Sequence, residues 1–379
     1  MNLRILIIAG EESGDLHASN LCLALKQLNP EIKFIGLGGQ RMQDAGVTLL
    51  HNLVERAVVG FWEPIKQLNY FRKLMAELEQ YVKLEKPDAI ILVDYPGFNL
   101  RFAARIKKYQ VPILYYISPQ VWAWGQGRIK KIALLMDKML VIFPFEQNIY
   151  TPYGLTAEFV GHPLLDVIKI NLNREKICQK YGLDNATPII TLLPGSRKQE
   201  ITTLLPIMLH AGNIINQHVA KVQFVLLLVR EEFRDIAQSM IASSGLKVMI
   251  CTEDKYDIRA ASNISMVSSG TATLEGAIVG TPMVVVYKVS PVTALFARFL
   301  IQIPDIALVN VVAGSRIVPE LVQKELTADK LARATLAILT DPDLTTEIKR
   351  KLEIVRTRLG SPGASTRAAQ SILNYLALK

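Results

Sequence analysis

The chain has 379 residues, 50% of them hydrophobic and 20% charged, with a formal charge of +9 and a pI near 9.3. This is apolar material for two ordinary cores, and it excludes a disordered chain. The positive balance favours anionic partners, but Lys and Arg are scattered and no nucleic-acid-binding signature stands out, so phosphorylated metabolites or an acidic membrane surface are the better reading.

Cys22, Cys178 and Cys251 are odd in number and lack metal-ligand spacing, which argues against a disulfide framework or a metal site and for a cytoplasmic chain. Met1 to Gly10 is too short for a signal peptide's apolar core, and runs such as Phe224 to Val229 fall far short of the ~20 residues of a membrane span. Membrane contact, if made, is peripheral.

Leu3 to Ala9 is a continuous aliphatic run closed by glycine, which predicts a buried parallel strand. Gly10-Glu11-Glu12-Ser13-Gly14-Asp15 then turns into a helix over Leu16 to Leu28. The turn lacks GxGxxG, and its carboxylates would repel a pyrophosphate. We therefore expect Glu12, Ser13, Gly14 and Asp15 to line an acceptor site or cleft wall; the plainer alternative is helix capping by Ser13 or Asp15. Phe34 to Leu37 is a second strand. Ile65, Leu68, Phe71, Leu74, Met75, Leu78 and Val82 recur at helical spacing and predict a helix packed on the sheet. The apolar patch before it, Val58 to Trp62, invites lipid or acyl chains through Phe61 and Trp62.

Ala89 to Val93 is another buried strand, delivering Asp94 at its carboxyl end, where open α/β sheets place ligand residues. Tyr95-Pro96-Gly97-Phe98-Asn99 forces a turn, with Asn99 expected to cap a helix over Leu100 to Lys108, leaving Asp94 free. Ile113 to Ile117 ends in Ser118-Pro119-Gln120-Val121-Trp122-Ala123-Trp124, with Arg128, Lys130 and Lys131 close behind. Trp122 therefore reads either as a contact for an anionic amphiphile or as core packing. Met139 to Phe143 continues the sheet, and Gly161-His162-Pro163 reads as a tight turn between domains more readily than as a base.

From Asp166 a polar connector leads to a restart of the alternation at Ile189 to Leu193. Pro194-Gly195-Ser196-Arg197 follows, placing a guanidinium at a strand end, where it suits a phosphate or a surface ion pair. Phe224 to Val229, Val248 to Cys251, Asn263 to Val267 and Met283 to Tyr287 supply further strands. Ser268-Ser269-Gly270-Thr271 is a turn of small residues between strand and helix, which reads either as a seat where amides converge on an anion or as a tight capped turn with nothing bound. Glu275, one turn further on, is placed for ribose hydroxyls. Pro291 to Ile303 is a second apolar and basic segment. Helices are predicted over 331–339, 345–359 and 365–378.

Two Rossmann-like doubly wound domains facing a cleft are the expected α/β architecture. One domain offers Asp94; the other offers Arg197, the Ser-Gly-Thr turn and Glu275. That division suits transfer of a sugar from a nucleoside diphosphate: cationic groups and a helix N-terminus stabilise the leaving diphosphate without a metal, and a carboxylate takes the acceptor proton from the opposite face. An unperturbed aspartate is weak for that task, which predicts partial burial of Asp94.

Ala9 to Asp15, Asp94 to Asn99, Ser118 to Trp124, Gly161 to Pro163, Leu193 to Arg197 and Ser269 to Glu275 occur together and in order, and closely resemble the motifs of the lipid-A-disaccharide synthase family, inverting glycosyltransferases of the GT-B fold. The resemblance spans nearly the whole chain. It implies a UDP-diacylglucosamine donor, a diacylglucosamine 1-phosphate acceptor, a β-1,6 disaccharide product, no metal or cofactor, peripheral association with the inner membrane and a homodimer. By motif, Asp94 is the general base, Arg197 a phosphate contact, and Ser268, Ser269, Gly270, Thr271 and Glu275 the UDP site. Asn310 matches a family asparagine, although Val309 stands where a proline is usual and Ile317 where an acidic residue is common. The same resemblance places residues 1–165 plus about 345–379 in an acceptor-binding domain and 166–344 in a UDP-sugar-binding domain. A UDP-N-acetylglucosamine 2-epimerase and a non-catalytic membrane-surface binder of nucleotide sugars are the rival readings.

Overall fold

The aliphatic runs form two sheets, all-parallel among the described residues, in the computed structural model, which describes residues 2–54, 64–289 and 305–378. The patch at Phe61 and Trp62 and the segment from Phe296 to Ile301 lie outside them. The chain divides into unit one, Met1–Leu165 with Leu359–Lys379, and unit two, Asp166–Arg358.

Unit one carries β1 (Arg4–Ala9), β2 (Lys33–Gly38), β3 (Val47–Asn52), β4 (Ala89–Val93), β5 (Ile113–Tyr116), β6 (Lys138–Val141) and β7 (Ala157–Phe159), in the order β3-β2-β1-β4-β5-β6-β7. Ile5 to Ile8 and Ala89 to Val93 are fully buried. Buried strands of this kind need helices on both faces, which is why these sequences read as unbroken apolar runs. The helix Pro64–Glu85 buries Leu74, Leu78 and Val82, one face at four-residue spacing. β3 was not predicted: Thr48, His51 and Asn52 interrupt its apolar pattern, as suits an edge strand.

Unit two carries β8 (Ile189–Leu193), β9 (Gln223–Leu227), β10 (Val248–Cys251), β11 (Ile264–Ser268), β12 (Met283–Tyr287) and β13 (Glu320–Val322), in the order β10-β9-β8-β11-β12-β13. Each sheet therefore reverses its winding once, between β1 and β4 and between β8 and β11. At such a reversal, the loops leaving the strand carboxyl ends diverge and open a crevice for a ligand.

The chain returns to unit one at Leu359, later than the position near 345 expected from the resemblance. The helix Pro342–Arg358 buries Ile348, Leu352 and Val355, and the Arg358 guanidinium donates to the carbonyls of Val312 (2.9 Å) and Ala313 (2.6 Å), which ties this helix to unit two. The last helix, Ala364–Ala377, buries Ala364, Ala368 and Ala369, small residues that allow close approach to the helix Glu12–Leu28, together with Ile372. Arg367 Nε donates to the Val160 carbonyl at 2.8 Å, and Lys138 pairs with Glu158 at 2.9 Å beside it. Among the described residues, no helix is long and apolar enough to cross a membrane.

Candidate active site

At the reversal in unit one, β4 ends at Asp94 with an unusual backbone. Asp94 (φ 45°) and Tyr95 (φ 47°) are both left-handed, a conformation that costs an L-residue about 1–3 kcal/mol each. The strain is held in place by hydrogen bonds. The Asp94 carbonyl accepts from Asn99 Nδ2 at 2.7 Å and from the Tyr115 hydroxyl, while the Asp94 amide donates to the Tyr116 carbonyl at 3.1 Å. Tyr95 lies flat against Gly10, where a Cβ would sit 2.2 Å from its ring, and stacks on Phe98 with centroids 5.9 Å apart. Asn99 is thus not the helix cap expected from sequence: the helix starts at Pro96, and fully buried Asn99 instead clamps the Asp94 backbone.

The Asp94 side chain is half-buried, as the sequence required. Burial, with the nearby negative charge of Glu11 as a second cause, pushes its carboxyl up to about 6. A carboxylate in that range is a competent base near neutrality.

The rest of the Gly10–Asp15 turn divides. Glu12 and Ser13 are exposed at the start of their helix, and Gly14 is buried. Asp15 is 3% exposed; its carboxylate accepts from the amides of Gly39 (2.7 Å), Met42 (3.1 Å) and Arg41 (3.1 Å), so it caps the neighbouring helix Gln40–Asp44 and is not placed for an acceptor. Trp122 likewise belongs to the core. Its ring meets Phe145 edge-on at 5.2 Å and its indole N–H donates to Glu146 Oε1 at 3.1 Å, as the core-packing alternative has it, while the residue also lines a shallow pocket of about 290 Å³ with Gln126, Pro152 and Tyr153. Burial pushes the Glu146 carboxyl up to about 8. His162 is buried, its Nδ1 accepts from the Leu164 amide at 3.2 Å, and burial lowers its pKa to about 3, a structural histidine.

At the reversal in unit two, the loops after β8, β9 and β11 surround a pocket of about 350 Å³. Gly195 (φ 122°) and Gly270 (φ 152°) shape its rim in conformations open to glycine. Gly270 precedes the helix Thr271–Val279, whose first amides face the turn. Ser268, Ser269, Gly270 and Thr271 line the pocket beside Arg197 and Glu275, so this group assembles as the sequence motifs suggested. Arg197 is 80% exposed, with a 3.5 Å contact to Glu200, whose carboxylate braces the loop by accepting the Ser196 amide at 2.9 Å and the Arg197 amide at 3.2 Å. Glu275 faces Tyr256 (3.3 Å), Lys255 (3.7 Å) and Arg259 (3.7 Å), three pocket residues not read from sequence.

Asn310 behaves differently from the UDP contact expected of it. It is 1% exposed, its Nδ2 donates to Val318 O (3.0 Å) and Glu320 Oε1 (2.7 Å), and its Oδ1 accepts from the amides of Ile317 (2.9 Å) and Val318 (3.1 Å). Every hydrogen-bonding direction of the amide is occupied within the chain. Asn310 therefore staples the segment leading into β13.

Two Rossmann-like units with these strand orders define the fold class as GT-B. Solved structures of similar fold include UDP-GlcNAc 2-epimerase from Neisseria meningitidis bound to UDP-GlcNAc (TM-score 0.68, 11% identity, 98% of this chain and 100% of that one) and MurG from Acinetobacter baumannii (TM-score 0.60, 13% identity, 98% and 99%). At those identities the likeness concerns the fold alone.

The family follows from sequence. The family model of lipid-A-disaccharide synthetase matches residues 5–373. The lipid-A-disaccharide synthases of Syntrophus aciditrophicus (43% identity, 98% of this chain and 97% of the relative) and Geobacter metallireducens (41%, 100% and 98%) are among its relatives. The chain belongs to the lipid-A-disaccharide synthase family and is a glycosyltransferase of lipid A synthesis.

Proposed function

We propose that Asp94 is the general base of an inverting transfer of 2,3-diacylglucosamine from UDP to the 6-hydroxyl of 2,3-diacylglucosamine 1-phosphate. Asp94 takes the hydroxyl proton as the oxygen attacks the anomeric carbon from the face opposite the diphosphate. The new β-1,6 bond forms as the bond to the β-phosphate oxygen breaks, and UDP leaves with the electron pair. Arg197 and the amides of the Ser268–Thr271 turn hold the leaving diphosphate, while Glu275 holds the ribose. No step in this scheme needs a metal. Glu12 and Ser13 remain candidates for acceptor contact because they are exposed beside Asp94's turn.

The observation that carries the base role is the half-buried Asp94 carboxyl, raised to about 6 at the carboxyl end of β4 and set on a clamped left-handed backbone. Incubation of the protein with both acylated glucosamine substrates should give a tetraacyl disaccharide phosphate and UDP by mass spectrometry; folded protein giving no such product would overturn the activity.

The acyl chains make membrane association part of the proposal. The enzyme works peripherally at the inner-membrane surface, with Phe61 and Trp62 as lipid contacts and two copies forming a homodimer. The motivation is the apolar Val58–Trp62 patch next to a basic chain. Replacing Phe61 and Trp62 by Ser should reduce vesicle binding or raise KM for the acylated acceptor, and if neither moves, the patch is not a lipid contact. Sedimentation equilibrium showing only monomer would dismiss the dimer.

A further inference from the structure

Arg259 lies in the short helix Lys255–Ala261 and borders the pocket of unit two, yet it is 1% exposed. Among the described residues, none of its three side-chain nitrogens makes a hydrogen bond. Burying a guanidinium without hydrogen bonds is strongly unfavourable, and the ion-pair contact of Arg259 with Glu275, at 3.7 Å, is too long to be a hydrogen bond that would offset it. A residue kept at that cost has work that its own fold does not require.

Its surroundings indicate what the work is. Arg259 Nη1 lies 3.7 Å from Glu275 Oε2, while Tyr256 donates to Oε1 at 3.3 Å and Lys255 stands 3.7 Å from the same oxygen. Both carboxylate oxygens are thus bracketed from the pocket wall, and each oxygen has a second lone-pair direction for a ligand hydroxyl. The slot that admits the guanidinium exists because residue 276 is glycine: a Cβ there would lie 2.3 Å from Arg259 Nη2. Burial lowers the Arg259 pKa to about 10, which leaves the group charged near neutrality.

We propose that Arg259 is a positioning residue that fixes the Glu275 carboxylate to accept both hydroxyls of a ribose, and so sets a preference for ribo- over 2′-deoxyribonucleoside diphosphates. The inference rests on the reading of this pocket as the UDP site. The guanidinium works through Glu275, while Arg197 and the glycine turn handle the diphosphate; removing Arg259 should therefore weaken recognition of the ribose and not of the phosphates.

The test is calorimetric titration of wild-type protein and the Arg259→Met, Arg259→Lys and Gly276→Ala variants with UDP and with 2′-deoxy-UDP. Wild type should prefer UDP by about tenfold or more, as expected for a site built to hydrogen-bond a hydroxyl. Arg259→Met should lose about tenfold in UDP affinity and clearly less in 2′-deoxy-UDP affinity, since the deoxy ligand offers Glu275 only the 3′-hydroxyl; thermal melts accompany the titration because the substitution leaves Glu275 without its buried partner. Arg259→Lys should recover part of the preference. Gly276→Ala, which displaces the guanidinium without removing its charge, should reduce the preference too and provides the test should Arg259→Met fail to fold. Equal losses for both nucleotides, or an unchanged preference in folded variants, would overturn the role of Arg259 while leaving the UDP site standing. Wild-type protein that binds neither nucleotide would overturn both.

Discussion

The two sheets reverse their winding in the same way, yet their crevices carry opposite chemistry. In unit one the loops bring Glu11 toward Asp94 and hold Asp94 on strained backbone, raising its affinity for a proton. In unit two they bring Arg197, Lys255 and Arg259 around a glycine turn, which favours an anion. The backbone also differs in kind. The two turns at the reversal of unit two put glycine at positive φ, at Gly195 and Gly270, so they form without strain; the turn at the reversal of unit one puts Asp94 and Tyr95 in that region and stabilises them through Asn99 and Tyr115. One topology thus carries a carboxyl with raised proton affinity or a cluster of cations around a glycine turn, according to which side chains end the strands.

Breaking each side separately sharpens the contrast. Asp94→Asn, close to isosteric but unable to take a proton, should lower turnover by about 10²–10⁴-fold in a coupled UDP-release assay. Arg197→Ala should weaken UDP binding by about 10–100-fold, the loss expected for charge-assisted hydrogen bonds, with little change in Tm, because the side chain is 80% exposed and its contact with Glu200 is a long surface ion pair. The pH profile separates the units again. Asp94 must be deprotonated to act, so kcat/KM should rise with pH and level off above about 6, falling about tenfold per pH unit on the acid side; a flat profile from pH 5 to 7 would remove Asp94 as the base.

The remaining effect concerns stability and not activity. The folded-state pKa of Glu146 is raised to about 8 from an ordinary 4.5, so the folded state binds the extra proton between those values. Stability from this group is complete below about 4.5 and is lost as pH rises to about 8, by at most about 1.4 kcal/mol per pH unit. Glu146→Gln should remove that slope, so its Tm relative to wild type should improve from pH 5 to 9 in thermal melts.

The fold was legible because its cues are local. Continuous aliphatic runs ending in glycine or a polar residue gave β1, β4, β8 and β11 nearly to the residue, while β3 escaped because an edge strand need not be apolar on both faces. The site was legible where side chains leave strand ends: Asp94, Arg197 and the Ser268–Thr271 turn all lie at the reversals. What failed depended on contacts distant in sequence. Asp15 looked like part of the acceptor turn, but its partners are the amides at 39, 41 and 42; Asn310 looked like a ligand contact, but residues 317–320 occupy it. Arg259 gave no signal, since an arginine in Lys-Tyr-Asp-Ile-Arg reads as surface; the only trace was Gly276 inside a helix, where glycine is otherwise unfavourable.

The central claim is that acceptor chemistry and nucleotide binding belong to different units, and its most direct test is titration of UDP into wild-type and Asp94→Asn protein by calorimetry. The division of labour predicts Kd values that agree within about twofold, since Asp94 contributes only to the proton transfer. A UDP affinity tenfold weaker in folded Asp94→Asn protein would contradict it.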